Sequence, residues 1–285
     1  MADIGGMPGL DPSATLRQLL PPAAGTPAPA IFLPREHGSW SLVLEPLTLG
    51  LLVAPSSAGA ALALAALAGF FARRPLKAAL APEFTARRRA ARETVVMFSA
   101  LAVAGLFETL VLGGATALWP LLLAAPLGGM FVHFDRQNES RAAAAELAGS
   151  ATFALLPAVF ATLAGWSWPT ALALAALALA RSVPTVLTVR TCLRLGKGQK
   201  PDIRRPVTAA AVALGLIGAL ASRRLVPGLS VGLVALLLLR TGFFVTALRP
   251  GWPAKRIGMI EAAIGALYVG ITAFAYHSGS FFNDT

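Results

Sequence analysis

The sequence predicts an all-α, polytopic membrane bundle of about nine transmembrane helices, and three observations carry that expectation. Apolar residues make up 56% of the chain and charged residues 13%, against about 25% charged in soluble domains. Apolar runs recur along its whole length, with a mean hydropathy of +0.70, as expected where segments must cross hydrocarbon. The basic residues, which give a formal charge of +11, sit mainly in alternate short connections between those runs, the pattern of cytoplasmic loops. No single polar, basic domain holds them, so nucleic acid is not expected as a partner.

Residues 1–33 are rich in Pro, Gly and Ala (LPPAAGTPAPA) and lack a basic segment followed by an apolar core. They read as a disordered tail rather than a signal peptide. Residues 34–285 form the transmembrane domain. The expected spans are 37–54, 57–72, 94–112, 116–134, 144–164, 168–190, 206–222, 228–248 and 256–277. The first contains Glu45 followed by Pro46, and the second is short and Ala-rich (ALALAALAGFF). The third carries Glu108, the sixth Arg181 and Pro184, the eighth Arg240 and the ninth Glu261. Pro55-Ser56, Gly113-Gly114 and Gly165-Trp166 read as tight turns, which would make the helices flanking each turn antiparallel neighbours. Ala, Gly and Ser recur at helical spacing, which allows close helix packing in lipid, where hydrophobicity does not drive helices together.

The connection between spans two and three carries Arg73, Arg74, Lys77, Arg87, Arg88, Arg89 and Arg92. That between six and seven is basic too, and that between eight and nine carries Arg249, Lys255 and Arg256. The connections one–two, three–four and five–six have no Lys or Arg. This alternation puts the even-to-odd loops, and the N-terminus, in the cytoplasm and the C-terminus outside. Arg223 and Arg224, between spans seven and eight, run against it.

The densest basic stretch is Ala180–Val207, with Arg181, Arg190, Arg194, Lys197, Lys200, Arg204 and Arg205 against one acid, Asp202. Arg190 and Arg194 are four apart and share a helix face. Arg181 lies about 13 residues into its span, roughly 20 Å at 1.5 Å per residue, so it must face protein, water or ligand. Arg181, Arg190 and Arg194, with Arg74 and Lys77 from the end of span two, are the candidate head-group ligands. A guanidinium fork pairs directly with phosphate or carboxylate oxygens. His37, Glu45, Arg240 and Glu261 are the candidate intramembrane polar site, with internal pairing to Arg181 or Arg240 the competing role for the acids. One cysteine, Cys192, excludes an internal disulfide, and with only His37, His133 and His277 no metal site is expected. Nothing in the residues calls for a cofactor.

Four segments, PREHGSWSLVLEPLTLG (34–50), FFARRPLKAAL (70–80), HFDRQNESRAAAAELAG (133–149) and RSVPTVLTVRTCLRLGKG (181–198), together resemble the YwiC-like integral membrane proteins. That resemblance implies a polytopic membrane protein and no particular reaction. A more distant likeness is to the UbiA-type intramembrane prenyltransferases, whose nine helices enclose a cavity capped by loops after helices two and six. Members bind an isoprenoid diphosphate through Mg²⁺ held by Asp-rich motifs there. This chain has ARRPLK at the first place and Arg190 and Arg194 at the second, so those catalytic residues are not carried over.

The leading expectation is a UbiA-like inner-membrane bundle. Its cavity takes a lipid or isoprenoid with an anionic head group, held by arginine instead of Mg²⁺. A catalysed step, if there is one, would be a metal-independent transfer on a lipid substrate. A transporter, with Pro184 breaking span six, and a membrane scaffold or partner subunit touching anionic lipid remain open. The residues do not determine the oligomeric state.

Overall fold

A computed structural model of the chain describes residues 37–80, 85–137, 139, 142–246 and 252–278. The tail 1–33, with Arg35, Glu36, Glu83, Arg141 and Arg249, lies outside the described residues. Among those described the secondary structure is all helical. The elements are α1 (His37–Val53), α2 (Ser57–Leu80), α3 (Thr85–Gly113), a 3-10 turn (Thr116–Leu118), α4 (Leu121–Arg136), α5 (Ala143–Ala154), α6 (Leu156–Leu163), α7 (Trp168–Gly196), α8 (Arg204–Ser222), α9 (Leu229–Val245) and α10 (Ala254–His277). Taking α5 and α6 as one broken segment, the nine expected spans are all present as helix. Six of these segments are long and apolar enough to cross a membrane, including the Ala-rich α2. The protein is an integral membrane protein of the helical-bundle class.

The bundle is arranged around α7. It packs against α1, α5, α6, α8, α9 and α10, and its apolar window is 67% buried inside the protein. The cause is in its composition. Ala171, Ala173, Ala175, Ala178 and Ala180 alternate with Leu174 and Leu177 along the buried surface, so neighbouring backbones approach closely while the leucines fill the gaps. At the opposite extreme, the apolar window of α3 is 11% buried. Its only substantial packing among the described residues is on α2. That contact depends on Gly105, where an added Cβ would come within 2.8 Å of the Ala61 carbonyl oxygen. Thr109, buried beside it, donates to the Ala58 carbonyl at 3.3 Å.

The structure corrects several expectations. The expected basic loop after span two is largely helix. α2 continues to Leu80 through Arg73, Arg74, Pro75 and Lys77, and α3 begins at Thr85. Hydropathy reports the width of the hydrocarbon, whereas Ala, Lys and Arg are good helix formers that carry the helix past it. For the same reason α7 runs on to Gly196. Gly114 (φ +74°) does make a turn after α3, but α3 and α4 do not become packed neighbours. The 3-10 turn and Pro120 intervene, and α4 packs on α5. Pro184 does not break its helix, because α7 is continuous through it. The break falls instead at Leu155, between α5 and α6, one residue before the Leu156-Pro157 start of the second half.

Candidate functional site: a buried charge cluster

Four charged side chains from four helices meet around α7. Arg181 of α7 lies within 3.3 Å of Glu45 of α1 through Nε and Oε2. Its Nη2 also donates to Glu45 Oε1 at 3.4 Å. On its other side, Nη1 donates to Glu261 Oε2 of α10 at 3.3 Å, and Nη2 donates to the Glu261 main-chain oxygen at 2.8 Å. Arg240 of α9 pairs with the same Glu261 Oε2 and lies over the Phe244 ring, 5.4 Å from its centre. Arg181 also donates to the Thr185 hydroxyl one turn on. That hydroxyl in turn donates to the Arg181 carbonyl at 2.6 Å.

The cluster holds two cations and two anions, so its formal charge is zero. Side-chain exposure is 3% for Arg181, 6% for Glu261, 10% for Arg240 and 16% for Glu45. Hydrogen bonding within it is incomplete. Arg240 Nε and Nη1 and Glu261 Oε1 are buried without a hydrogen-bond partner among the described residues. Beside Arg181 lies a narrow cleft lined by Glu45, Pro46, Leu49, Ala178, Arg181, Ser182, Tyr268 and Val269. α1 packs closely on α10, and α7 meets both of them more loosely. Tyr268 donates its hydroxyl to the Leu177 carbonyl at 2.9 Å across this gap. A band of buried hydroxyls continues along α7, with Thr188 within 3.3 Å of Thr241 on α9.

Nearer the polar ends of the helices are two smaller groups. Asp135, just past the apolar part of α4, pairs with Arg73 and, at 2.9 Å, with Lys77 of α2. Burial pushes the Asp135 carboxyl up, but the hydrogen bonds from Arg73 and Lys77 outweigh it and hold the group below the ordinary aspartate value of 3.8. Arg190 pairs with Glu146 in the first turn of α5 at 2.5 Å, and Arg194, one turn on, is exposed.

Three of the four residues expected in the intramembrane polar site, Glu45, Arg240 and Glu261, therefore come together. The side chain of the fourth, His37, lies outside the described residues. Arg181 joins these three rather than Arg190 and Arg194. Arg74 and Lys77 belong to the end of α2, which packs on α1, α3 and α6. Glu108 is exposed on α3. Sequence reasoning singled out neither Asp135 nor Thr185 and Thr188. The intact α7 also removes the helix break on which the transport reading drew.

These features define a polytopic helical membrane protein with a charge-compensated polar cluster inside its bundle. The family model of the YwiC-like protein matches residues 33–161, a stretch that takes in α1 to α5 and most of α6; over that stretch the chain is similar to the YwiC-like proteins. The match includes Glu45, Asp135 and Glu146, while Arg181, Arg240 and Glu261 lie beyond it. No curated protein and no solved structure matches significantly.

Proposed function

We propose that the protein resides in the bacterial cytoplasmic membrane and binds there the anionic head group of a lipid, an isoprenoid lipid included, through arginines and without Mg²⁺. The observation that carries this is the pair of buried guanidinium donors without acceptors among the described residues, Arg240 Nε and Nη1. An unmade bond from such a group costs about 1–3 kcal/mol or more. Phosphate and carboxylate oxygens are the acceptors a guanidinium fork fits best. The cleft beside Arg181 is narrow and is lined by Glu45, Arg181, Ser182 and Tyr268. A ligand there would set its head group against Arg181 and leave its tail among helices and lipid. Arg190 and Arg194 at the end of α7, with Arg74 and Lys77 at the end of α2, supply the positive field that draws an anion in. These basic ends face the cytoplasm, so the N-terminus is inside and the C-terminus outside.

The test is the lipid retained per chain after purification in mild detergent, read by native mass spectrometry. Wild type is compared with Arg240→Gln and with the double variant Arg190→Gln/Arg194→Gln. Wild type should keep about one anionic lipid, and each charged hydrogen bond lost should weaken retention by about 1.5–3 kcal/mol. Equal retention in all three proteins, insensitive to salt, refutes the reading.

A further inference from the structure

The two carboxylates of the buried cluster are held very differently. Glu261 is shared by two guanidiniums, and its main-chain oxygen takes a third contact from Arg181 at 2.8 Å. Glu45 touches only Arg181 among the described charged residues, through contacts at the long limit of 3.3 and 3.4 Å. It is the most exposed of the four, at 16%, and it lines the cleft. Its seat is shaped by Gly265 of α10, where even a Cβ would collide with the Glu45 carboxylate.

An anion that enters the cleft therefore finds the Arg181 fork occupied by Glu45. A third negative charge against two guanidiniums would leave the buried cluster at a net charge of −1, which is costly at low dielectric. We propose that Glu45 is an exchangeable stand-in for the ligand. An incoming phosphodiester or carboxylate group takes its place on Arg181, and Glu45 leaves that contact as the neutral acid, taking up one proton per anion bound. The exchange balances: Glu45 carboxylate paired with Arg181, plus anion and proton, gives Glu45 carboxylic acid plus anion paired with Arg181. The groups facing Glu45 that set its titration are Arg181 of α7, Arg240 of α9, and Glu261 and Tyr268 of α10. This inference rests on the anion-binding reading above.

The test uses the full chain in detergent and probes whose own charge is constant over the range. Dihexanoylphosphatidylglycerol presents the anion as a lipid head group, dimethyl phosphate presents it free, and dihexanoylphosphatidylcholine is the zwitterionic control. Affinity is measured from about pH 6 to pH 8, and proton uptake is measured by titration calorimetry in buffers of different ionisation enthalpy. In wild type the anionic probe should bind with uptake of one proton. Its affinity should fall by up to about tenfold per pH unit where Glu45 is ionised in the free protein. Glu45→Gln should bind more tightly at high pH and lose the pH dependence. Gly265→Ala, which evicts the carboxylate without removing it, should weaken that dependence.

Binding without proton uptake in wild type, or an unchanged pH profile in Glu45→Gln, overturns the inference and leaves anion binding standing. If Glu45→Gln does not fold, the wild-type proton count alone decides. Failure of wild type to bind either anionic probe at any pH overturns both readings. Binding of dimethyl phosphate as tightly as the lipid supports the exchange and assigns the site to free anions.

Discussion

Replacing Glu261 with leucine should be the most damaging single change in the cluster, because it removes the carboxylate that two guanidiniums share. Arg240, 10% exposed and with Nε and Nη1 already unpartnered, loses its ion pair. Arg181 retains Glu45 as its one carboxylate partner among the described residues. Removing one partner of a buried pair costs about 3–5 kcal/mol, which for a chain of this size is roughly 6–20 °C in melting temperature. Arg240→Leu should cost less, about 1–3 kcal/mol, since Glu261 keeps its contacts with Arg181. In the double variant Arg240→Leu/Glu261→Leu one cation faces one anion, and most of the loss should be recovered. The assay is thermal unfolding of the purified proteins followed by tryptophan fluorescence. If the double variant's loss equals the sum of the single losses to within about 0.5 kcal/mol, the four side chains do not act as one charge-compensated unit and the reasoning fails.

Gly105→Ala should part α3 from α2, because the new Cβ would meet the Ala61 carbonyl and Ala65; overpacking of this kind costs about 1–3 kcal/mol, read as a lowered melting temperature. Asp135 has a folded pKa below its unfolded one, so its contribution is present above the unfolded value and is lost as pH falls through the folded value. Acid unfolding of Asp135→Asn should therefore lack the portion of the pH dependence that wild type shows in that window, and identical acid profiles would refute it. A reporter active only outside the cytoplasm should be active when fused after Thr285; activity of a cytoplasm-only reporter there would overturn the nine-crossing topology.

Composition and the spacing of apolar runs were enough to determine that the chain is a helical membrane bundle, and nearly where its helices fall. The bilayer demands about 20 apolar residues per crossing and internal satisfaction of every backbone group, and both demands are written locally. The same local logic marked Glu45, Arg181, Arg240 and Glu261, since a charge at membrane depth stands out in any apolar run. Their grouping was not legible. Glu45 and Glu261 are separated by more than two hundred positions, and only the packing of α1 on α10 and of both beside α7 brings them to one guanidinium. Sequence adjacency instead joined Arg181 to Arg190 and Arg194. On the folded helix those two stand about 13–20 Å farther along at 1.5 Å per residue, where Arg190 meets Glu146 rather than the buried acids. Helix ends were equally out of reach, because Arg and Lys that end an apolar run do not end a helix. Which charges face each other is a property of helix packing, and packing is decided by small residues such as Gly265 and the alanines of α7, whose effect appears only when a second helix is laid against them.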